Sequence, residues 1–201
     1  MKKISILGFG GHGRVLHDIA TIIGYDVIEF YDDNKKDIEK QVVGDSNDLL
    51  SNVETGNNLV FGIGDNISRS IKVNEFLNKD FTFPSIIHPM TYIADDVQIG
   101  EGVVICAGVI IQTGCVINDF SIINTGATID HDCILGSFSH ICPGTHLAGG
   151  VSVGEKSFIG IGSSVSNNIN IGSNVLIGAG SSVVNDINSN VKAFGVPAKE
   201  V

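Results

Sequence analysis

The chain has 201 residues, 43% of them hydrophobic, which allows one or two domains with a core for each. Twelve Lys and Arg against 22 Asp and Glu leave a net charge of −10, a balance that argues against nucleic acid or an anionic membrane surface as a partner. Met1-Lys2-Lys3 runs straight into a strand-like segment with no charged-then-apolar leader. No apolar stretch approaches the roughly 20 residues a membrane span needs, so the expected location is the cytoplasm.

The predicted elements begin with a strand, Ile4 to Leu7, leading into Gly8-Phe9-Gly10-Gly11-His12-Gly13. A helix follows, with apolar positions at Val15, Leu16, Ile19, Ile22 and Ile23, ending at Gly24. A second strand, Val27 to Tyr31, ends in Asp32-Asp33. A third, Leu59 to Ile63, ends in Gly64-Asp65-Asn66 and precedes a helix from about Ser68 to Leu77. This is a βαβ mononucleotide-binding layout, in which glycines let the backbone approach phosphate at a helix N-terminus and an acid about 20 residues later accepts from ribose or base. Three evident strands supply only half of a doubly wound domain. The pattern therefore favours a nucleotide-sugar over a dinucleotide, with a supporting domain that binds neither as the remaining alternative; His12 in the loop is alternatively a turn or cap residue. Pro84 to Pro89 form a stiff joiner, in which His88 reads as a packing or turn residue. The domains are expected at 1–85 and 86–201.

From Ile93 the chain repeats every six residues. Stepping by six to Val183 meets sixteen aliphatic residues in sixteen trials. The fifth position of each hexad is small or β-branched, from Val97 through Cys115, Ala127, Cys133 and Ser139 to Ile187. Six is not a multiple of 3.6, so a helix would scatter these residues around its axis; a hexapeptide solenoid keeps one position inward every time. Three hexads make a triangular coil of 18 residues. Glycine recurs at the second position (Gly100, Gly136, Gly154, Gly160, Gly172, Gly178), where a tight bend excludes a Cβ.

Four cysteines, Cys106, Cys115, Cys133 and Cys142, all lie in the solenoid without CxxC spacing, and Cys115 and Cys133 are expected to stack as reduced core residues. The only basic side chains from residue 86 onward are Lys156, Lys192 and Lys199, so a phosphate-bearing cofactor is expected toward that end. Asp130-His131-Asp132 fill the second to fourth positions of their hexad, at an outward corner. Adding 18 reaches Gly149-Gly150, about 4.8 Å away by strand spacing. A histidine flanked by acid beside bare backbone suits acyl transfer: a base near neutral pKa, a group that orients its ring, and an N–H donor for the developing oxyanion. His140 and His146 occupy sixth positions on neighbouring faces, lining a cofactor groove or covering a subunit contact. Ile161, Ala179 and Pro197, spaced by 18, are expected to align as an apolar rail for a pantetheine arm, with Lys199 near the adenine and its phosphate.

The hexads resemble the left-handed parallel β-helix of the hexapeptide-repeat acyltransferases, an exception to the usual right-handed crossover. Over essentially the full length, Gly8 to Gly13, Tyr31-Asp32-Asp33, Gly62 to Asn66, Asn124-Thr125, Asp130 to Cys133, Phe138-Ser139-His140, Ala148-Gly149 and Gly195 to Lys199 resemble the NeuD/PglD-like group. That group comprises the nucleotide-aminosugar acetyltransferases of the bacillosamine type and the related sialic acid O-acetyltransferases. The resemblance implies an α/β N-terminal half-Rossmann-like domain followed by a left-handed β-helix. It implies an acetyl-CoA-dependent transfer to the amino group of a UDP-4-amino-sugar, without metal, in a homotrimer with active sites between subunits. O-acetylation of sialic acid or another sugar hydroxyl is the alternative. It makes His131 the general base, oriented by Asp132 where the family often has glutamate. His140, Ile161 and Ala179 become acetyl-CoA contacts, Gly149 the donor to the thioester carbonyl, and Gly10, Gly11, His12, Asp32, Asp33 and Gly64 the nucleotide-sugar site.

Overall fold

The structure, a computed structural model, describes residues 2–34, 41–51 and 57–201. They fall into two compact units, one ending at Ile86 and the other beginning at Ile87. The first contains β1 (Lys2–Leu7), α1 (Gly11–Ile22), β2 (Tyr25–Tyr31), β3 (Val42–Gly44), α2 (Ser46–Ser51), β4 (Asn57–Phe61), α3 (Asn66–Phe76) and β5 (Phe81–Thr82). The sheet order is β3-β2-β1-β4-β5 and every pairing is parallel. The sequence reading anticipated three strands; β3 and β5 are too short to show a period.

Glycine packing explains how α1 seats. Gly8 turns the chain at φ 106°, and a Cβ on Gly13 would collide with the Gly8 carbonyl. This close approach sets the helix face, so Gly13, Leu16, Ile19 and Ala20 are buried. Val15 and Ile22, two of the apolar positions in the helix pattern, are 42% and 51% exposed.

The second unit is a left-handed parallel β-helix. Its two-residue strands pair with partners 18 residues away, such as Thr128 with His146 and Ile129 with Leu147, on each of three faces. The first-position aliphatics stack into one core that runs from Ile105 to Val183. Burying so many short strands works because each ladder N–H and C=O pairs with the next coil, as in Thr128 N–H to the Thr145 carbonyl and Asp130 N–H to the Leu147 carbonyl.

Two positions of the hexad need special chemistry, for different reasons. The fourth is left-handed at every hexad from Gly102 to Gly180, including Phe120, Asp132, Phe138, Lys156, Asn168 and Asn174. Asp and Asn tolerate that conformation, whereas the two phenylalanines are unusual there. At the second position the restriction is contact with the next coil: a Cβ on Gly154 would lie 2.5 Å from Ser173 N. Buried fifth-position hydroxyls donate to the carbonyl 15 residues on, as Thr145 does to Gly160 (3.1 Å) and Ser157 to Gly172 (2.7 Å). Cys115 and Cys133 sit in the same slot, free and buried, with their thiols donating to the carbonyls of Asp130 (3.0 Å) and Ala148 (3.3 Å).

The repeat does slip once, after Val183. Ile187 pairs with the first-position residue Ile171, and Leu176 pairs with Lys192, so the last offset is 16 and not 18. Ile187 is therefore not a fifth-position residue. Ala179 aligns with Gly195, and Pro197 drops out of the expected Ile161–Ala179–Pro197 column. The shorter turn lets the chain double back, with Phe194 antiparallel to Lys199.

Gly154→Ala is expected to destabilise the β-helix by about 3 kcal/mol through overpacking, measured by urea unfolding. Gly162→Ala, at φ 68° with open space around its Cβ, is expected to cost only about 1 kcal/mol, the left-handed penalty alone.

Candidate active site

In the first unit, strand order reverses between β1 and β4, and ligand crevices in open α/β sheets form at such a switch point beyond the strands' carboxyl ends. An open pocket of about 410 Å³ lies there, lined by Leu7, Gly8, Gly10, Asp32, Asp33, Asn34, Gly62, Ile63, Gly64, Asp65, Ser68 and Lys72. The glycines divide the work. Gly8, Gly13 and Gly62 pack against one another, while Cβ positions on Gly10 and Gly11 meet nothing within 4 Å. Gly10 is also the N-cap of α1, where unpaired N–H groups attract anions. Of the expected substrate residues, Gly10, Asp32, Asp33 and Gly64 line this pocket. Gly11 and His12 sit in the first turn of α1, outside its lining.

The two acids differ. Asp32 is 9% exposed and braces the glycine loop, accepting from the backbone N–H groups of Phe9 (2.7 Å) and Asn34 (2.9 Å). Asp33 is more open and is held by the Ser46 N–H (2.8 Å) and the Lys72 ammonium (2.9 Å). Partial burial works against its charge, but these bonds outweigh it and keep its carboxyl below the ordinary range. Two residues were missed from sequence. Lys72 also reaches Glu75 (2.8 Å), and Arg69, 2% exposed, donates to the carbonyls of Ile63 (3.0 Å) and Gly64 (3.1 Å), fixing one wall. Burial lowers the Arg69 guanidinium to about 10, which leaves it charged at neutral pH. Their places on α3 read as ordinary solvated helix positions, and only the fold sets Lys72 in the pocket lining and Arg69 against the carbonyls of two lining residues.

In the β-helix, Asp132 holds His131. With φ 59° at Asp132, its carboxylate swings back to accept from His131 Nδ1 at 2.8 Å, and the His131 N–H donates to Asp130 (2.8 Å). A proton held at Nδ1 leaves the lone pair on Nε2. That edge lies across Gly149, where a Cβ would come within 2.5 Å of both Nε2 and Cε1. Among the described residues no acceptor takes the Gly149 N–H. The hydrogen bond to Asp132, with the charge of Asp130, holds the His131 imidazole above its ordinary 6.5.

Along the face that leads to this corner runs an open groove of about 510 Å³, including Ile110, Gln112, Thr128, Asp130, His146, Ala148 and Ser164. His146 lines it, its Nδ1 2.8 Å from Thr128 Oγ1. His140 does not; it is 7% exposed on another face, with Nε2 3.1 Å from Asn124 Nδ2 and its ring edge-on to Phe158. Ile161 and Ala179 are exposed and one coil apart, while Pro197 and Lys199 are exposed in the terminal turn-back. His88 accepts from the Met90 N–H (3.0 Å), a local turn. Burial pushes the Cys142 thiol up to about 12 and the Cys106 thiol to about 11. Among the described residues there is no His, Cys, Asp or Glu cluster able to hold a metal, and no helix is long and apolar enough to cross a membrane.

A family model for the PglD N-terminal domain matches residues 3–76. The acetyltransferase domain of PglB from Neisseria gonorrhoeae, solved alone and with acetyl coenzyme A, is 35% identical, with a TM-score of 0.94 over 100% of both chains in the first of these structures. PerB from Caulobacter crescentus, solved with CoA and GDP-perosamine, is 38% identical over 100% of this chain and 98% of its own, with a TM-score of 0.94. WeeI from Acinetobacter baumannii, 19% identical over all of both chains with a TM-score of 0.74, shares the fold. No curated protein matches the chain.

Lys72→Met is expected to move the Asp33 carboxyl up toward 3.8, read by carbon-13 NMR titration. Because Asp33 is depressed in the folded state, the stability it contributes is present above about pH 4 and lost on acidification. The variant should therefore lose less stability than the parent between pH 7 and pH 3.

Proposed function

Because the chain belongs to the PglD-like family of hexapeptide-repeat sugar acetyltransferases, we propose that it transfers acetyl from acetyl-CoA to the amino group of a nucleotide-linked amino sugar, of the UDP-4-amino-sugar type. The observation that carries this reading is the His131 ring, oriented by Asp132 with its Nε2 edge against the bare Gly149 backbone. His131 Nε2 takes a proton from the sugar amine as its nitrogen attacks the thioester carbonyl. The N–C bond forms, the C–S bond breaks, and the sulfur leaves as the CoA thiolate, to which the proton passes. The Gly149 N–H donates to the carbonyl oxygen as charge builds there.

No acyl-enzyme is needed. Cys133 is fully buried, and the raised Cys142 thiol cannot supply a thiolate near neutral pH. The pocket of Gly10, Asp33, Gly64 and Lys72, with Gly11 and His12 at the α1 N-terminus, takes the nucleotide-sugar; Asp32 supports that site by bracing the loop. His140, Ile161, Ala179, Pro197 and Lys199 are assigned to acetyl-CoA. The assembly is a cytoplasmic homotrimer whose active sites lie between adjacent subunits, with no nucleic-acid partner. PerB was crystallised with GDP-perosamine, so GDP-linked sugars belong beside UDP-linked ones in the test.

A free-thiol release assay across UDP- and GDP-linked 4-amino sugars, with sialic acid as the hydroxyl arm, is expected to show turnover on a UDP-linked amine. Turnover on sialic acid alone would replace the reading with O-acetylation. His131→Ala is expected to lower kcat at least roughly 10²-fold, with the acetyl-CoA Kd from calorimetry nearly intact; unchanged kcat would remove His131 from the mechanism.

A base must be unprotonated to act, so with the His131 imidazole raised the acid limb of kcat/KM is expected above 6.5. Asp132→Asn, which keeps a residue tolerant of the left-handed backbone, is expected to shift that limb downward and lower the plateau. A pH–rate profile of the two proteins reads both effects.

A further inference from the structure

We propose that Asp130 is a specificity-determining residue, whose carboxylate receives the acceptor's amine as its ammonium beside His131 and so selects an amino sugar over a hydroxyl acceptor. The proposal rests on the reading of His131 as the base made above.

The groove of about 510 Å³ that leads to the His131 corner carries a single permanent charge. Among the described residues Gln112, Thr128, His146 and Ser164 give it polar groups, and Asp130 gives it a carboxylate. The three basic side chains of this half of the chain, Lys156, Lys192 and Lys199, lie outside its lining. A groove with an acid and no Lys or Arg disfavours the phosphates of CoA or a nucleotide and favours a cation. Of the two substrates only the amino sugar brings one, because an alkyl amine titrates above neutral pH and is largely protonated there. A sugar hydroxyl brings no charge, and sialic acid brings a carboxylate that Asp130 repels.

The backbone beneath this side chain is fixed. The Asp130 N–H is tied to the Leu147 carbonyl (3.0 Å) on the next coil, and the Asp130 carbonyl accepts from the Cys115 thiol (3.0 Å) in the core. One carboxylate oxygen accepts from the His131 N–H at 2.8 Å; among the described residues nothing bonds the other. Asp132 is committed to His131 Nδ1 at 2.8 Å, so one flanking acid orients the base while the other lines the groove. The Asp130 charge also helps to hold the His131 imidazole above 6.5. An ammonium bound by Asp130 gives one proton to solvent. The neutral amine then attacks the thioester by the route through His131, its second proton passing by Nε2 to the leaving sulfur as the N–C bond forms and the C–S bond breaks. An ion pair made before the first proton is lost strengthens binding and not the chemical step, so its contribution falls on KM.

The test sets UDP- and GDP-linked 4-amino sugars against their 4-hydroxy counterparts, by calorimetry on the full chain at neutral pH. The parent should bind the amine of at least one pair about fivefold more tightly, the worth of a partly exposed ion pair. Asp130→Asn keeps an acceptor for the His131 N–H and removes the charge. It should erase the preference and raise the amino-sugar KM about fivefold, with kcat within about threefold and the acetyl-CoA Kd unchanged. Asp95→Asn, which removes an exposed acid two coils away on the same corner, should leave the preference intact. Equal affinity or no binding in every pair overturns the proposal, as does a preference that survives Asp130→Asn. Its loss in Asp95→Asn also overturns it, by assigning the effect to the general negative field. Calorimetry needs no turnover. A chain that prefers the amine through Asp130 but releases no thiol would overturn the proposed function and sustain this inference, whereas thiol release without that preference would do the reverse.

Discussion

The register of 18 residues per coil is the constraint from which the geometry around His131 follows. Each backbone group of a coil is matched to the next, so what stands opposite a side chain is decided by the residue 18 positions away. His131 needs a neighbour without a side chain, and Gly149 supplies one. Any Cβ there would occupy the space of the imidazole. The orienting acid comes from the same geometry: Asp132 takes the left-handed fourth position, and that backbone turns its carboxylate onto Nδ1. One corner therefore carries an imidazole, the carboxylate that orients it and a bare amide, with no loop specialised to hold them.

The first unit reaches an open backbone by a different route. Gly8, Gly13 and Gly62 are used in packing a helix against a sheet, and Gly8 and Gly62 also line the pocket at the strand-order switch together with Gly10 and Gly64. Its electrostatics are equally economical. Asp32 spends its carboxylate on the loop it supports, and Asp33 is kept charged by Lys72 and the Ser46 amide. In a chain with ten more acids than bases, a cation committed to a pocket wall acts chiefly by keeping one carboxylate ionised and aimed.

The cysteines illustrate how packing can imitate chemistry. Cys115 and Cys133 flank the corner of His131 in sequence, yet their thiols fill the slot that serine and threonine fill elsewhere in the stack, donating to corner carbonyls. They help hold the corner. The nucleophile in the proposed reaction is the substrate's own amine.

Much of this was legible in the sequence, because a six-residue period survives no other backbone and three hexads fix the offset that sets Gly149 beside His131. The glycine loop and its acid likewise announced a mononucleotide layout, since few other sequences leave so much backbone bare at a helix start. The short strands Val42–Gly44 and Phe81–Thr82 carried too little pattern to be seen, and the buried face of the first helix was set by a glycine contact that periodicity does not encode. The two-residue slip that removes Pro197 from the Ile161–Ala179 column, the separate contacts of Asp32 and Asp33, and the places of Arg69 and Lys72 were decided only by the tertiary structure. The division has one physical cause. A repeat writes its register into the chain, whereas the partner of a side chain that reaches across the fold is fixed only when distant segments meet.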